Sequence, residues 1–445
     1  MLKAYLYVVL YLLSGKGAEG KGSKLMLFLL DGLRWDYFDQ QNLDLPGFKR
    51  MFSNGIKAEY TTVDFPSLSL PNYYTIMTGL HTENHGMIGN NIYDPQSNKY
   101  FLLSNLTTYD DPLFWNDADP LWVSAERQGK KSYMYYWLGG GVVINGVRPT
   151  FYEPYFYDNG RIPDVQETAA SIRKGIDLFK KDAADLVAIY FEPTDALGHS
   201  YGPKSTTLNQ KLVELDSVFM QLQDNLTAEG LADDVVFMIF SDHGMTGIQP
   251  ERVINLTAYI DPNDLKALMI EAGPLCTIYP KDDKLEKVHN DLMYAVTQVG
   301  HFTVYRKNDI PDSWHYKNHR RVAPLVAVAE VGWFILQPSY KDFPSKPASG
   351  PLKGYHGYDP TNPDMRGIFA AAGPGIRKNV ITKPIDAVDI YQLMCHVLDI
   401  KPSPNNGTWS RVAGMLTDTS TASVLSYMFP PIVLCSILTF STVLF

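Results

Sequence analysis

An α/β fold, with a mostly parallel central sheet, helices on both faces and a long insertion, is what three features of this 445-residue chain predict. Short apolar runs, of the length and residue type of strands buried on both faces, alternate with helix-like stretches. Three of those runs end abruptly in polar residues, as strands do at the ligand edge of an open α/β sheet. The composition, 45% hydrophobic and 20% charged, suffices for a large core.

In chain order, Lys3, the apolar stretch Ala4–Leu13 and the small residues Ser14, Gly15, Gly17 and Ala18 have the layout of a secretory signal peptide over residues 1–18. The apolar part is too short to span a bilayer. A catalytic domain is expected over 23–416. Its first strand, Leu25–Leu30, ends in Asp31-Gly32. Ser69 follows in FPSLSLPNYYTIMTG, ahead of Pro71-Asn72, where the chain is expected to turn. A helix over Asp164–Lys180 precedes strand Leu186–Phe191, which leads to Asp195. A second helix, Thr207–Leu226, precedes strand Val235–Phe240, which leads to Ser241-Asp242-His243-Gly244. Residues 244–355, rich in Pro, Asp and Tyr, read as an irregular insertion or cap. Leu325–Val331 and Ile368–Ala372 complete the expected sheet strands.

Val424–Phe445 is almost wholly apolar, follows the small and polar Thr417–Ser423, and no Lys or Arg lies beyond Arg411. Residues 417–445 therefore read as a GPI-anchor signal, with a tail-in-membrane helix as the alternative. Together the two ends predict a protein on the extracellular face of the plasma membrane. N-x-S/T sequons at Asn105, Asn225, Asn255 and Asn406 agree with export and glycosylation. The formal charge of −9 argues against nucleic acid as a partner. Removal of the tail takes Cys435 with it and leaves Cys276 and Cys395, enough for one disulfide whose geometry the sequence does not define.

The chemistry concentrates after the strands. Asp242 and His243 are adjacent, but just beyond a strand, with Gly244 freeing the backbone, both can face one site. Asp195 and His199 are four apart, which on a helix puts them on one face, as a metal pair requires. His356 lies among glycines and tyrosines in KGYHGYD. Asp31, Ser69, Asp195, His199, Asp242, His243 and His356 together suffice for two metal ions, and Zn²⁺ accepts both His nitrogen and Asp oxygen. Each taken alone has a plainer role, Asp31 as a helix cap and His199 or His356 as loop histidines. The other seven histidines are assigned no metal role. Ser69 is a poor nucleophile unless activated, and metal coordination can lower the pKa of its hydroxyl. Asn72, three residues on, is placed to hydrogen-bond a phosphate oxygen.

The ordered segments LLDGLR, PSLSLPNYYTIMTGLHTENHG, DALGHSYGP, FSDHGM and GYHGYD resemble the ectonucleotide pyrophosphatase/phosphodiesterase family of the alkaline phosphatase superfamily, over about residues 24–414. The resemblance implies an alkaline-phosphatase-like fold and two Zn²⁺ ions. One would be held by Asp195, His199 and His356, the other by Asp31, Asp242, His243 and the nucleophile Ser69. Many nucleotide-cleaving members carry threonine in place of Ser69. YMYYWLGGGVVINGVRPT and KPSPNNGTWSRV resemble the GPI-anchored, choline-specific glycerophosphodiesterase branch. That likeness implies release of phosphocholine from glycerophosphocholine and lysophosphatidylcholine, and leaves room for a homodimer. Tyr190, beside the metals, would then face the choline cation, with Tyr155, Glu153, Glu192 and Trp137 as further candidates. The substrate-binding set is thus Asn72, Asp31, Tyr190, Asp195, His356, Tyr155 and Glu153. A nucleotide or sphingomyelin phosphodiesterase and a catalytically silent surface-binding protein are the alternatives. A sulfatase is disfavoured because no arginine follows Ser69-x-Pro71 at the required spacing.

Overall fold

Six or seven consecutive apolar residues have no polar face to offer water, so such strands are stable only at the centre of a sheet covered on both sides. The computed structural model puts them there. It describes residues 23–39, 43–103, 105–155, 162–267, 273–336, 343–346 and 349–417. The expected signal peptide lies outside the described residues, as does the anchor signal beyond Thr417.

The main sheet is built from β1 (Lys24–Leu30), β2 (Gly55–Ala58), β3 (Ser132–Tyr135), β4 (Phe151–Glu153), β5 (Leu186–Phe191), β6 (Val235–Phe240), β7 (Phe369–Ala372) and β8 (Val380–Thr382). Its spatial order is β8-β2-β7-β6-β1-β5-β3-β4. β1 runs parallel to both β5 and β6, and β3 continues the parallel set with β5 and β4. Only β7 is antiparallel to its neighbours, β6 and β2. Ile368–Ala372 is thus a sheet strand as expected, in the opposite sense. The fold is alkaline-phosphatase-like, with helices on both sides of the sheet.

The three strands that end in polar residues are neighbours. Leu30 pairs with Phe191 and Leu29 with Phe240, so the chain leaves β5, β1 and β6 at one level of the sheet edge. Four helices matter for the site: α1 (Ser69–Thr78), α2 (Val165–Lys180), α3 (Pro193–Tyr201) and α4 (Thr206–Ala228). α2 carries a capping box, Asp164 with Glu167, and α4 is capped by Ser205.

Residues 244–355 are more ordered than their composition suggests. Leu265–Ala267, Leu275–Pro280, Leu325–Ala329 and Phe302–Arg306 form a separate sheet in that order, covered by the helix Leu285–Val299. Val288, Leu292, Phe302 and Leu325 belong to a second hydrophobic core. Leu325–Val331 was expected in the central sheet and instead builds this one. A short apolar run defines a strand without saying which sheet receives it. Cys276 lies in the second core and Cys395 in the main one; both are buried free thiols. Among the described residues no helix is long and apolar enough to cross a membrane.

The insertion also contributes to the main core, next to the loop that leads to Ser69. Trp314 stacks on Phe65 with ring centroids 4.0 Å apart, and Tyr316 meets the same ring edge-on. Arg321, fully buried, donates to Asp94 and to the carbonyls of Gly86 and Leu113.

Candidate active site

α1 begins at Ser69 because Leu68 is extended (φ −108°, ψ 158°) and Pro71 occupies the first turn, where its missing N–H is not needed. The bend therefore falls at Leu68–Ser69, two residues before the expected turn at Pro71-Asn72. Ser69 Oγ stands 3.2 Å from His243 Nε2.

Three histidine rings converge there in one tautomer. His243 Nδ1 lies 2.8 Å from Gly244 O, His199 Nδ1 2.8 Å from Gly354 O, and His356 Nδ1 3.0 Å from Ser67 O. A carbonyl only accepts, so each Nδ1 carries the proton and each Nε2 presents a lone pair inward. His243 and His356 stack with centroids 3.5 Å apart. His199 can reach its carbonyl because Gly354 packs against α3, where a Cβ would lie 2.4 Å from Gly198 O.

Three aspartates complete the cluster. Asp31 Oδ2 accepts hydrogen bonds from Tyr73 and Tyr190, and Asp242 Oδ1 accepts from the amides of Gly32 and His243. The remaining oxygens, Asp31 Oδ1 and Asp242 Oδ2, are buried without a hydrogen-bond partner, as is Asp195 Oδ1. Gly32, at φ +65°, lets the Asp195 carboxylate close in; a Cβ there would lie 2.9 Å from Oδ1. His243 Nε2 is 3.4 Å from Asp31 Oδ1 and 3.3 Å from Asp242 Oδ2. Asp195 is 3.3 Å from His199 and 3.5 Å from His356.

Two ligand groups result, Asp195–His199–His356 and Asp31–Asp195–His243, each with atoms within 4.8 Å of one another. Unpartnered buried carboxylate oxygens are costly, and imidazole lone pairs aimed at them suit a divalent cation far better than an empty space. A serine relay does not fit, because His243 Nδ1 is committed to a carbonyl and both carboxylates face the same Nε2 as Ser69.

The electrostatics agree. Burial, reinforced by the charge of Asp195, lifts Asp31 to about 7 against hydrogen bonds from Tyr190 and Tyr73. Burial, then Asp31, raises Asp242 well above the usual carboxylate range. Burial holds His243 down at about 4 and also lowers His356. Asp195 goes the other way: burial is outweighed by His199 and His356. Three carboxylates so close need added positive charge to ionise together.

All seven residues expected to bind metal are thus brought together. Asn72 is not among them. It is fully buried, and its amide donates to the carbonyls of Asp64, Pro66 and Leu68 while accepting from the Asp64 amide. It holds the loop before Ser69 and does not face a substrate. Asn90 is the residue the sequence reading missed. Its Oδ1 accepts from Leu70 N at 3.0 Å, next to Ser69, and its amide nitrogen has no partner among the described residues. The turn-forming GNN around it was the available signal, with no charge to mark it. Tyr73 was missed as well, although its helical position, four beyond Ser69, puts both on one face.

Four of the expected choline residues are buried or already partnered. Tyr190 is buried at 4% exposure with its hydroxyl bonded to Asp31, and Tyr155 packs its ring on Tyr190 at 5.5 Å. Glu153 is paired with Lys174 at 3.0 Å, and Trp137 is buried.

Residues 25–359 match the family described as type I phosphodiesterase/nucleotide pyrophosphatase. The chain belongs to this family. Human ectonucleotide pyrophosphatase/phosphodiesterase family member 5 is 34% identical over 417 residues, 94% of this chain and 83% of the relative. The bovine bis(5'-adenosyl)-triphosphatase ENPP4 is 34% identical over 409 residues, 91% and 84% of the two chains. Among solved structures, inactive murine member 5 in complex with AMP superposes with a TM-score of 0.79 at 35% identity, covering 89% of this chain and all of the other. Membership in the phosphodiesterase family makes the chain a phosphodiester- or pyrophosphate-cleaving enzyme. Neither of these relatives is named for the choline specificity that two segments of the sequence suggested.

Proposed function

We propose that the chain is a zinc-dependent phosphodiesterase of nucleotide-type diesters and pyrophosphates, with Ser69 as its nucleophile. One observation carries the reading: three orphaned aspartate oxygens and three histidine Nε2 atoms converge beside Ser69 Oγ. The nucleotide preference draws on the relatives, one a bis(5'-adenosyl)-triphosphatase and another a structure in complex with AMP. One zinc is assigned to Asp195, His199 and His356, the other to Asp31, Asp242, His243 and Ser69. When bound, the two ions supply the charge that acidifies the serine hydroxyl and offsets the anionic phosphate.

The chain's own residues do the rest. Ser69 oxygen gives up its proton to water and forms a bond to phosphorus as the bond to the leaving oxygen breaks, and the departing group takes up a proton from water. Water then cleaves the seryl phosphodiester, restoring the serine hydroxyl and releasing the phosphomonoester. Tyr73 and Tyr190 orient Asp31 through hydrogen bonds that favour its ionised form. Asn90, its carbonyl fixed by Leu70 N, donates its amide to a non-bridging oxygen. Asn90→Ala is expected to lower kcat/KM by roughly 10²-fold with unchanged melting temperature. A loss below threefold would remove Asn90 from the site.

The choline-specific reading keeps this chemistry and changes only the pocket. The deciding assay offers the zinc-loaded chain diadenosine triphosphate, p-nitrophenyl thymidine 5'-monophosphate, glycerophosphocholine and lysophosphatidylcholine side by side. Nucleotide turnover at least about tenfold faster is expected. The reverse order would restore the choline assignment, and silence on all four would favour a surface-binding protein. Export is part of the proposal; Asn105 and Asn255 are exposed, as glycosylation requires.

A further inference from the structure

Away from Ser69, the second sheet borders a cavity of about 480 Å³ that shares no residue with the metal cluster. Five cations line it, Lys266, Lys281, Arg306, Lys307 and Arg320, against a single acid, Asp282. In a chain of net charge −9 that concentration is unusual. Several of these charges are already matched. Lys266 is paired with Asp282, and Arg306 holds Glu286 through two bonds of 2.8 and 2.7 Å. Arg320 and the neighbouring Arg321 share Asp94 and Asp117. Two ammonium groups are left over. Lys281 has no carboxylate within ion-pair distance among the described residues. Lys307 is half-buried and donates only to the His319 carbonyl at 2.6 Å, and burial lowers its pKa. A half-desolvated ammonium without a counter-ion costs free energy that an anion would recover.

We propose that this cavity is a second, non-catalytic binding site for a phosphate dianion, either inorganic phosphate or the phosphate end of a phosphomonoester. Two unmatched positive charges fit a dianion, the flanking Arg306 and Arg320 offer further N–H donors, and the volume is that of a small-molecule pocket. The site does not depend on Ser69 chemistry.

The test is equilibrium dialysis of the zinc-loaded full chain against labelled phosphate, repeated with AMP. Two sites per chain are expected for the wild type, and one for K281Q/K307Q, whose substitutions touch no residue of the metal cluster. Turnover of a nucleotide diester in phosphate-free buffer should be unchanged in the variant, which shows that it is folded. Equal stoichiometry in the two proteins would overturn the proposal. Saturation by inorganic phosphate and AMP alike assigns the site to the phosphate group itself, whereas saturation by AMP alone assigns it to the monoester. If the catalytic reading were wrong, the variant would still lose the site relative to wild type.

Discussion

Ser69→Ala is expected to reduce turnover of a nucleotide diester by about 10⁴-fold or more, since the covalent intermediate forms on its hydroxyl. The serine is buried at 8% exposure and, among the described residues, its side chain bonds only to His243, so unfolding free energy should move by no more than about 1 kcal/mol. Zinc content, read by atomic emission, should stay at two ions per chain, because six ligands other than Ser69 remain. Substantial residual activity with zinc retained would mean that water, not the serine, attacks phosphorus.

Chelation is expected to abolish activity and, separately, to make stability depend on pH. Without metal, Asp31 has a folded-state value of about 7 against an ordinary 3.8. A folded-state value above the unfolded one means that this contribution is whole below about 4 and is lost as pH rises through about 7. Asp242, also raised by burial and by Asp31, adds to the same trend. His243 and His356 are held low and act in the opposite sense, but only as pH falls below about 6.5. Bound zinc would supply the missing positive charge and remove the carboxylate penalty. The melting temperature gained on adding zinc to chelated protein should therefore be several degrees larger at about pH 8.5 than at about pH 6.5. An equal gain at both values would show that the aspartates are not crowded as described.

The parts of the site readable from sequence are those fixed by strand ends. β1, β5 and β6 were recognisable as continuous apolar runs, and the residues soon after them, Asp31, Asp195, Asp242 and His243, needed only the rule that ligands gather at strand carboxyl ends. His199 followed from helical spacing. Ser69 and His356, far apart in the chain, completed the ligand count, and the family resemblance then divided the set between two ions. What the sequence hid is what depends on side-chain direction. Asn72 and Asn90 are both asparagines near Ser69, and only the structure shows one turned into the backbone of its own loop and the other bonded to Leu70 N. Tyr190 has the composition of a cation-binding aromatic, yet its hydroxyl bond to Asp31 makes it a support for a metal ligand. The second sheet was missed because residues 244–355 are rich in Pro and Asp, although Leu325–Ala329 and Leu275–Pro280 pair through antiparallel backbone bonds that need no long helix between them.

The central claim, that Ser69 attacks phosphorus before water does, is tested most directly by stereochemistry. The zinc-loaded chain would hydrolyse a single diastereomer of a nucleoside phosphorothioate diester in ¹⁸O-enriched water, and the configuration of the product would be read by ³¹P resonance. Two successive in-line displacements, one by Ser69 and one by water, each invert the phosphorus centre, so the account predicts net retention. Net inversion would mean a single direct attack by water and would contradict it.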